Sequence, residues 1–192
     1  MAIEFEATFP NTSHAEIQQK LTELRGTCIQ KKALYKISAF FLPQGDPSAL
    51  EFARVRDEGD KITMAVKWQE GDESHMQTQR EYELVVDNYD VAVQFLTRLG
   101  CVQKSYQERY REIWELSDVH IMLDEWPFLE PFIEIEGKSE QSVKDIVQKL
   151  GLNYEDALFT GVAVQYAQKY GLSREQVNNA TPRLTFEKNP FE

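Results

Sequence analysis

The sequence predicts an α+β fold in which about eight antiparallel strands can close into a barrel, a tunnel flanked by helices. Three observations carry that expectation. About eight segments read as strands, several alternating apolar and polar residues with a period of two. Four others repeat apolar residues at helical spacing. The two kinds of segment do not alternate strictly as strand–helix–strand, which favours an antiparallel over a parallel sheet.

Taken in order, Ile3 to Phe9 alternates around Glu4 and Glu6. Pro10-Asn11-Thr12-Ser13 starts a helix in which Ile17, Leu21 and Leu24 share a face until Gly26 stops it. Residues 31–42 read as a long strand ending at the loop Pro43-Gln44-Gly45-Asp46-Pro47. Residues 51–57 and 61–69 form a hairpin around Glu58-Gly59-Asp60, and a strand over 77–86 follows a polar loop. Asp87-Asn88 caps a second helix with Val91, Phe95, Leu96 and Leu99 as its apolar stripe, ended by Gly100. Residues 107–116, 119–124 and 131–136 are three more strands, the last two parted by the turn region at Trp126-Pro127. Beyond Gly137 the spacing predicts helices over 139–150, from a Ser139-x-x-Ser142 start, and over 154–170. The second of these offers Phe159, Val162, Val164 and Tyr166 on more than one side, for packing on the barrel, a dimer contact or a tunnel plug. The loop from Trp126 to Leu129 fits either core packing or a lid.

A chain of 192 residues with 42% hydrophobic content fits one domain, here residues 1–170, followed by an irregular tail over 171–192 that Leu184 and Phe186 can anchor. No apolar run has the length of a membrane span, and the start of the chain shows no secretory signal, so the expected setting is cytoplasmic. A net charge of −11 argues against nucleic acid, which needs a basic footprint. It leaves room for a small anion, because a cleft can carry the opposite sign locally. Cys28 and Cys101 are too far apart for a redox or zinc pair and read as structural thiols. His14, His75 and His120 show no ligand spacing.

Residues two apart in a strand share a face. Five such pairs are charged: Glu4 and Glu6, Arg54 and Arg56, Glu81 and Glu83, Arg109 and Arg111, Glu134 and Glu136. Lys67 and Arg80 add single basic residues, and Asp124 closes the strand before the last pair. Any one pair fits a solvated face of a half-buried sheet. Acidic pairs on the first and last strands, with basic pairs between, describe one surface carrying both signs. Carboxylates there can hold Mg²⁺ while arginines grip phosphate oxygens, which is much of what phosphoryl transfer requires.

These segments, in this order, resemble the CYTH superfamily of triphosphate tunnel metalloenzymes, which includes class IV adenylyl cyclases, thiamine triphosphatases and inorganic triphosphatases. The family's opening Glu-x-Glu-x-Lys is matched by Glu4-Phe5-Glu6-Ala7-Thr8, and its Arg-x-Arg by Arg54-Val55-Arg56. Its strand ending in Lys resembles Ile62 to Lys67, and its Arg with acidic neighbours resembles Arg80-Glu81-Tyr82-Glu83. Arg109-Tyr110-Arg111, Leu123-Asp124 and Glu134-Ile135-Glu136 complete the series, which covers about residues 2–150.

The resemblance implies a closed eight-stranded tunnel, Mg²⁺ or Mn²⁺ as cofactor, and a small-molecule triphosphate or nucleotide as ligand of a monomer or homodimer. It implies metal-side carboxylates at Glu4, Glu6, Asp124, Glu134 and Glu136, with Glu4 and Glu6 also catalytic. Arg54, Arg56, Lys67, Arg80, Arg109 and Arg111 become the phosphate-side groups. The activity implied is a metal-dependent triphosphatase, with a class IV adenylate cyclase and a non-catalytic polyphosphate binder as alternatives. Two positions depart from the family: Thr8 stands where it has Lys, and Phe40 stands where many members have Tyr.

Overall fold

The computed structural model describes residues 5–43, 51–69 and 79–192. In chain order its elements are β1 (Phe5–Phe9), α1 (His14–Glu23), β2 (Thr27–Phe41), β3 (Phe52–Asp57), β4 (Ile62–Gln69), β5 (Gln79–Val86), α2 (Tyr89–Arg98) and β6 (Val102–Leu116). There follow β7 (Val119–Glu125), β8 (Phe132–Gly137), α3 (Glu140–Lys149), α4 (Val162–Tyr170), α5 (Arg174–Ala180) and a short β9 (Arg183–Leu184). The strands form one sheet in the order β1-β8-β7-β6-β2-β3-β4-β5, with every neighbouring pair antiparallel, and β9 lies parallel to β6. The class is therefore α+β with an eight-stranded antiparallel sheet, as expected.

The local signals explain the elements. Ser13, Asn88 and Ser139 each accept a backbone N–H as N-caps of α1, α2 and α3. Ser139 and Ser142 form a reciprocal capping box, and Gly137 leaves room for it, since a Cβ there would lie 2.6 Å from Ser142 Oγ. The β6–β7 turn has only two residues, Ser117 and Asp118, both at positive φ (54° and 60°), the hand that matches the twist of paired strands.

Alternation along the strands separates two faces. On the outer face, Ala7, Phe9, Ile121, Leu123, Ile133 and Ile135 are buried against Ile17 and Leu21 of α1 and Val143, Ile146 and Val147 of α3. Each of the larger of these side chains contributes about 1.5–3 kcal/mol on burial. Farther round, Phe40, Ala53 and Val55 are covered by Ala92 and Leu96 of α2. A third cluster fills one end of the inner face: Ile37, Trp126 and Phe132 meet Tyr166 of α4, Val177 of α5 and Leu184 of β9. The Tyr166 hydroxyl donates to the Pro127 carbonyl at 2.6 Å, and that of Tyr170 donates to the Phe128 carbonyl at 3.0 Å. The loop from Trp126 to Leu129 is thus tied to α4 as core packing.

Several expectations are corrected. The helix expected over 154–170 is broken: Tyr154–Asp156 is a single 3-10 turn, and α4 starts only at Val162. Leu158 between them exchanges both backbone hydrogen bonds with Thr8 (3.0 and 2.8 Å), taking the outer edge of β1. The irregular tail carries α5 and β9, because Ser173 and Gln176 form a capping box and β9 takes the stretch of β6 beyond the end of β7. β2 and β6 start earlier than expected, at Thr27 and Val102. β1 and β5 end the hydrogen-bonded path, and among the described residues no ladder joins them. The sheet nevertheless curls on itself, since the charge of Lys67 on β4 acts on Glu6 of β1. Among the described residues, no helix is long and apolar enough to cross a membrane.

Candidate active site

Register places the charged residues on the inner face. Thr8 of β1 lies opposite Glu134 of β8, and Glu6 opposite Glu136. Arg111 of β6 lies opposite Asp124 of β7. Because Ala7, Ile133 and Ile135 are committed to the outer core, Glu6, Thr8, Glu134 and Glu136 have only the interior left.

Burial and the neighbouring Glu6 push the Glu134 carboxyl up to about 8. Glu6 is raised by burial too, an effect that Arg111 opposes and Glu136 reinforces. Asp124 is fully buried, and burial would raise it, but Arg111 and Arg109 hold it below the ordinary range. Its two oxygens accept from Arg111 Nε at 2.7 Å and Nη2 at 2.5 Å, and Arg111 Nη2 also donates to Glu134. Arg109 Nη1 stands 3.7 Å from Asp124. Arg111 therefore locks the acidic side of the interior to β6, and Asp124 is the anion that holds it.

The basic side is built on β3, β4 and β6. Arg54 donates to Glu81 at 2.9 Å and lies 3.8 Å from Glu83, while Lys67 pairs with Glu81 at 2.9 Å. Arg56 donates to Glu58 at 2.6 Å. Burial, then the adjacent Arg56, lowers the Arg54 guanidinium to about 9. Burial and Arg54 lower Lys67; burial and Arg111 lower Arg109. These cations crowd one another. Among the described residues, Arg54 Nε and Arg109 Nε are buried without a hydrogen-bond partner, as is Trp126 Nε1. A buried guanidinium nitrogen left unpaired is costly, and an anion in the interior would satisfy it.

Three contributors were not singled out as site residues. Glu58 reads as part of a turn, yet only 4% of it is exposed, and it anchors Arg56. Tyr35 is buried between the guanidinium groups of Arg109 (5.3 Å) and Arg56 (6.0 Å), and its hydroxyl donates to Gln30. Trp126 covers Arg109 from another side at 5.6 Å. Parity along β2 would have shown Tyr35 only with the pairing to Arg109 in hand. Conversely, Phe40 packs outward beneath α2, so it stands beside no charged group of the interior. Thr8 does face inward beside Glu134. Glu4 lies outside the described residues, and only the backbone of Arg80 is described, opposite Trp68.

Among the described residues no three potential ligands converge as a preformed metal cage. The donors that line the acidic side are carboxylates raised by burial and mutual repulsion. That set fits a hard divalent cation of the Mg²⁺ type, which commonly takes one or two carboxylates together with waters and substrate phosphates.

Comparison with known proteins agrees with this geometry. The CYTH domain family model matches residues 3–161. No curated protein sequence matches the chain. Among solved structures, a protein from Vibrio parahaemolyticus provisionally called an adenylate cyclase superposes with a TM-score of 0.72 at 15% identity, covering 86% of this chain and 98% of that one. A conserved hypothetical protein from Pyrococcus furiosus gives 0.67 at 18% identity, covering 82% and 96%. A protein from Hippeastrum, provisionally called an adenylyl cyclase and described as having a dominant triphosphatase activity, gives 0.57 at 16% identity, covering 90% and 97%. At these identities the likeness is one of fold.

Proposed function

This chain belongs to the CYTH domain family, and from that premise we propose that it is a metal-dependent hydrolase of a small triphosphate held in the sheet interior. One observation carries the reading: among the described residues, Arg54 and Arg109 keep buried, unpartnered guanidinium nitrogens on a wall that faces buried carboxylates. Arg54, Arg56, Lys67 and Arg109 bind the phosphate oxygens. Arg111 and Asp124 hold the two sides in register.

Glu6, Glu134 and Glu136, with Glu4, are the residues that would hold Mg²⁺ or Mn²⁺; a bound cation supplies neutralisation of phosphate charge. Glu6 is buried with a raised pKa, which makes its carboxylate a stronger base toward the proton of an attacking water. Glu81 and Glu58 fix their cations before any ligand arrives, and such preorganisation is the main lever in phosphoryl transfer. The apolar end around Phe132 and Tyr166, both fully buried, keeps water out on that side.

The test is a turnover assay with inorganic triphosphate and ATP, in Mg²⁺ and in Mn²⁺, reading phosphate, pyrophosphate and cyclic AMP together. Phosphate release that Arg54→Ala and a Glu134→Ala, Glu136→Ala double variant abolish is the expected result. Cyclic AMP with pyrophosphate would instead mark a cyclase. Tight binding by folded protein with no product would make Thr8, in place of the family's Lys, the mark of a binder.

A further inference from the structure

Among the described residues, nothing covers the outer face of β5 at Tyr82 and Leu84. Tyr82 and Leu84 lie there opposite Val66 and Met64 of β4, and the Tyr82 ring meets that of Trp68 at 5.1 Å. Val66 and Met64 are partly buried beneath α2, so the apolar surface runs from β5 up to the helix. On α2 the buried centre is Ala92 and Leu96. Val91, Phe95 and Leu99, spaced four apart, form a second stripe roughly 80° away at 100° per residue.

The stripe lies on the β5 side. The other shoulder of α2 reaches β2: the Tyr89 hydroxyl is 2.8 Å from Ser38 Oγ, and a Cβ on Gly100 would meet Pro43 just beyond β2. Tyr82, Leu84, Val91, Phe95 and Leu99 each leave between 55% and 66% of their surface exposed. Together they offer roughly 600 Å² of apolar area. A standard interface takes about 800 Å² from each partner, of which little more than half is apolar. Monomers rarely show a patch of this size without a purpose.

We propose that this face is the self-contact of a two-fold homodimer, with α2 packed antiparallel on α2 of a second copy and Phe95 at the axis. The stripe is symmetric about Phe95, so an antiparallel pair sets Val91 against the partner's Leu99 and Phe95 against itself. It holds no charged side chain, which matters for a chain of net charge −11 that must approach its own copy. The contact therefore tightens as salt screens the long-range repulsion. Because it uses the outer face, it leaves the interior untouched and stands whether or not the proposed activity does.

Sedimentation equilibrium from 1 to 100 µM, concentrations of about the range where such contacts form, tests it directly. The expected mass is twice 22.3 kDa, and Phe95→Asp returns it to the single value with an unchanged circular-dichroism spectrum. In a Cys28→Ser background, Phe95→Cys is expected to form an intermolecular disulfide on mild oxidation, whereas Thr97→Cys, on the opposite flank of α2, is not. A single-chain mass throughout, a dimer that ignores Phe95→Asp, or equal cross-linking at both positions would each overturn the proposal.

Discussion

Glu134 carries its carboxyl up to about 8 because burial and Glu6 both oppose its charge. Its folded pKa lies above the ordinary 4.5, so the native state holds the proton more tightly than the unfolded chain. That stability is fully present below about 4.5 and is lost as pH rises through about 8. Metal-free protein should therefore melt at falling temperature from pH 5 to pH 8 in a thermal scan, and Glu134→Gln should flatten the slope. Asp124 has the opposite logic: it is charged, wholly buried and held by Arg111. Asp124→Asn keeps the shape and strands the guanidinium, which should cost about 3–5 kcal/mol in urea unfolding. A loss below about 1 kcal/mol, the worth of an ordinary exposed pair, would mean that Arg111 finds another anion. At this scale the sequence showed the charged pairs, because a two-residue spacing fixes a common face whatever the fold. It could not show which cation takes which anion. Glu81 and Glu83 read as a pair like the others and turn out to serve Arg54 and Lys67.

Among the elements, the legible ones were those with local punctuation. The helices α1, α2 and α3 begin at Ser13, Asn88 and Ser139, and the Glu58-Gly59 turn closes the β3–β4 hairpin where expected. The first part of β2 escapes the pattern because register shifts between Cys28 and Ala33 break its alternation. The C-terminal segment was the larger omission, although Ser173-x-x-Gln176 is a capping-box signature. Its destination was beyond local signals, since Tyr166 is buried among Ile37, Trp126 and Phe132, which arrive from β2 and from the ends of β7 and β8. This end of the interior should be rigid. Tyr166→Phe removes only the hydrogen bond to Pro127 and should cost about 1 kcal/mol. Tyr166→Ala also opens a cavity and should cost about 3–5 kcal/mol by equilibrium unfolding. Near-equal losses in the two variants would mean that α4 rests loosely on the sheet and does not seal it.

For the whole molecule, overall charge and site charge have to be weighed together. Composition excluded a broad basic surface, and the structure confines its basic cluster to the inner wall, where Arg54, Arg56, Lys67, Arg109 and Arg111 stand. Around them, among the described residues, are seven carboxylates: Glu6, Glu58, Glu81, Glu83, Asp124, Glu134 and Glu136. Five cations face seven acids, of which burial pushes Glu6 and Glu134 toward their protonated forms, so the interior carries no excess of positive charge and the rest of the chain repels an incoming polyanion. The unpaired guanidinium nitrogens can orient phosphate but cannot by themselves reverse that balance. Binding of tripolyphosphate should therefore require divalent cation, with affinity in chelator weaker by about a hundredfold or more, equivalent to about 2.7 kcal/mol. Calorimetric titration in Mg²⁺ and in chelator measures this without turnover. A Glu6→Gln, Glu136→Gln double variant removes two of the acids, so its binding in chelator should improve while its response to Mg²⁺ shrinks. Equal affinity for the native chain in both buffers would show that the basic wall acts alone, and would move the acidic residues from holding a cation to positioning Arg111.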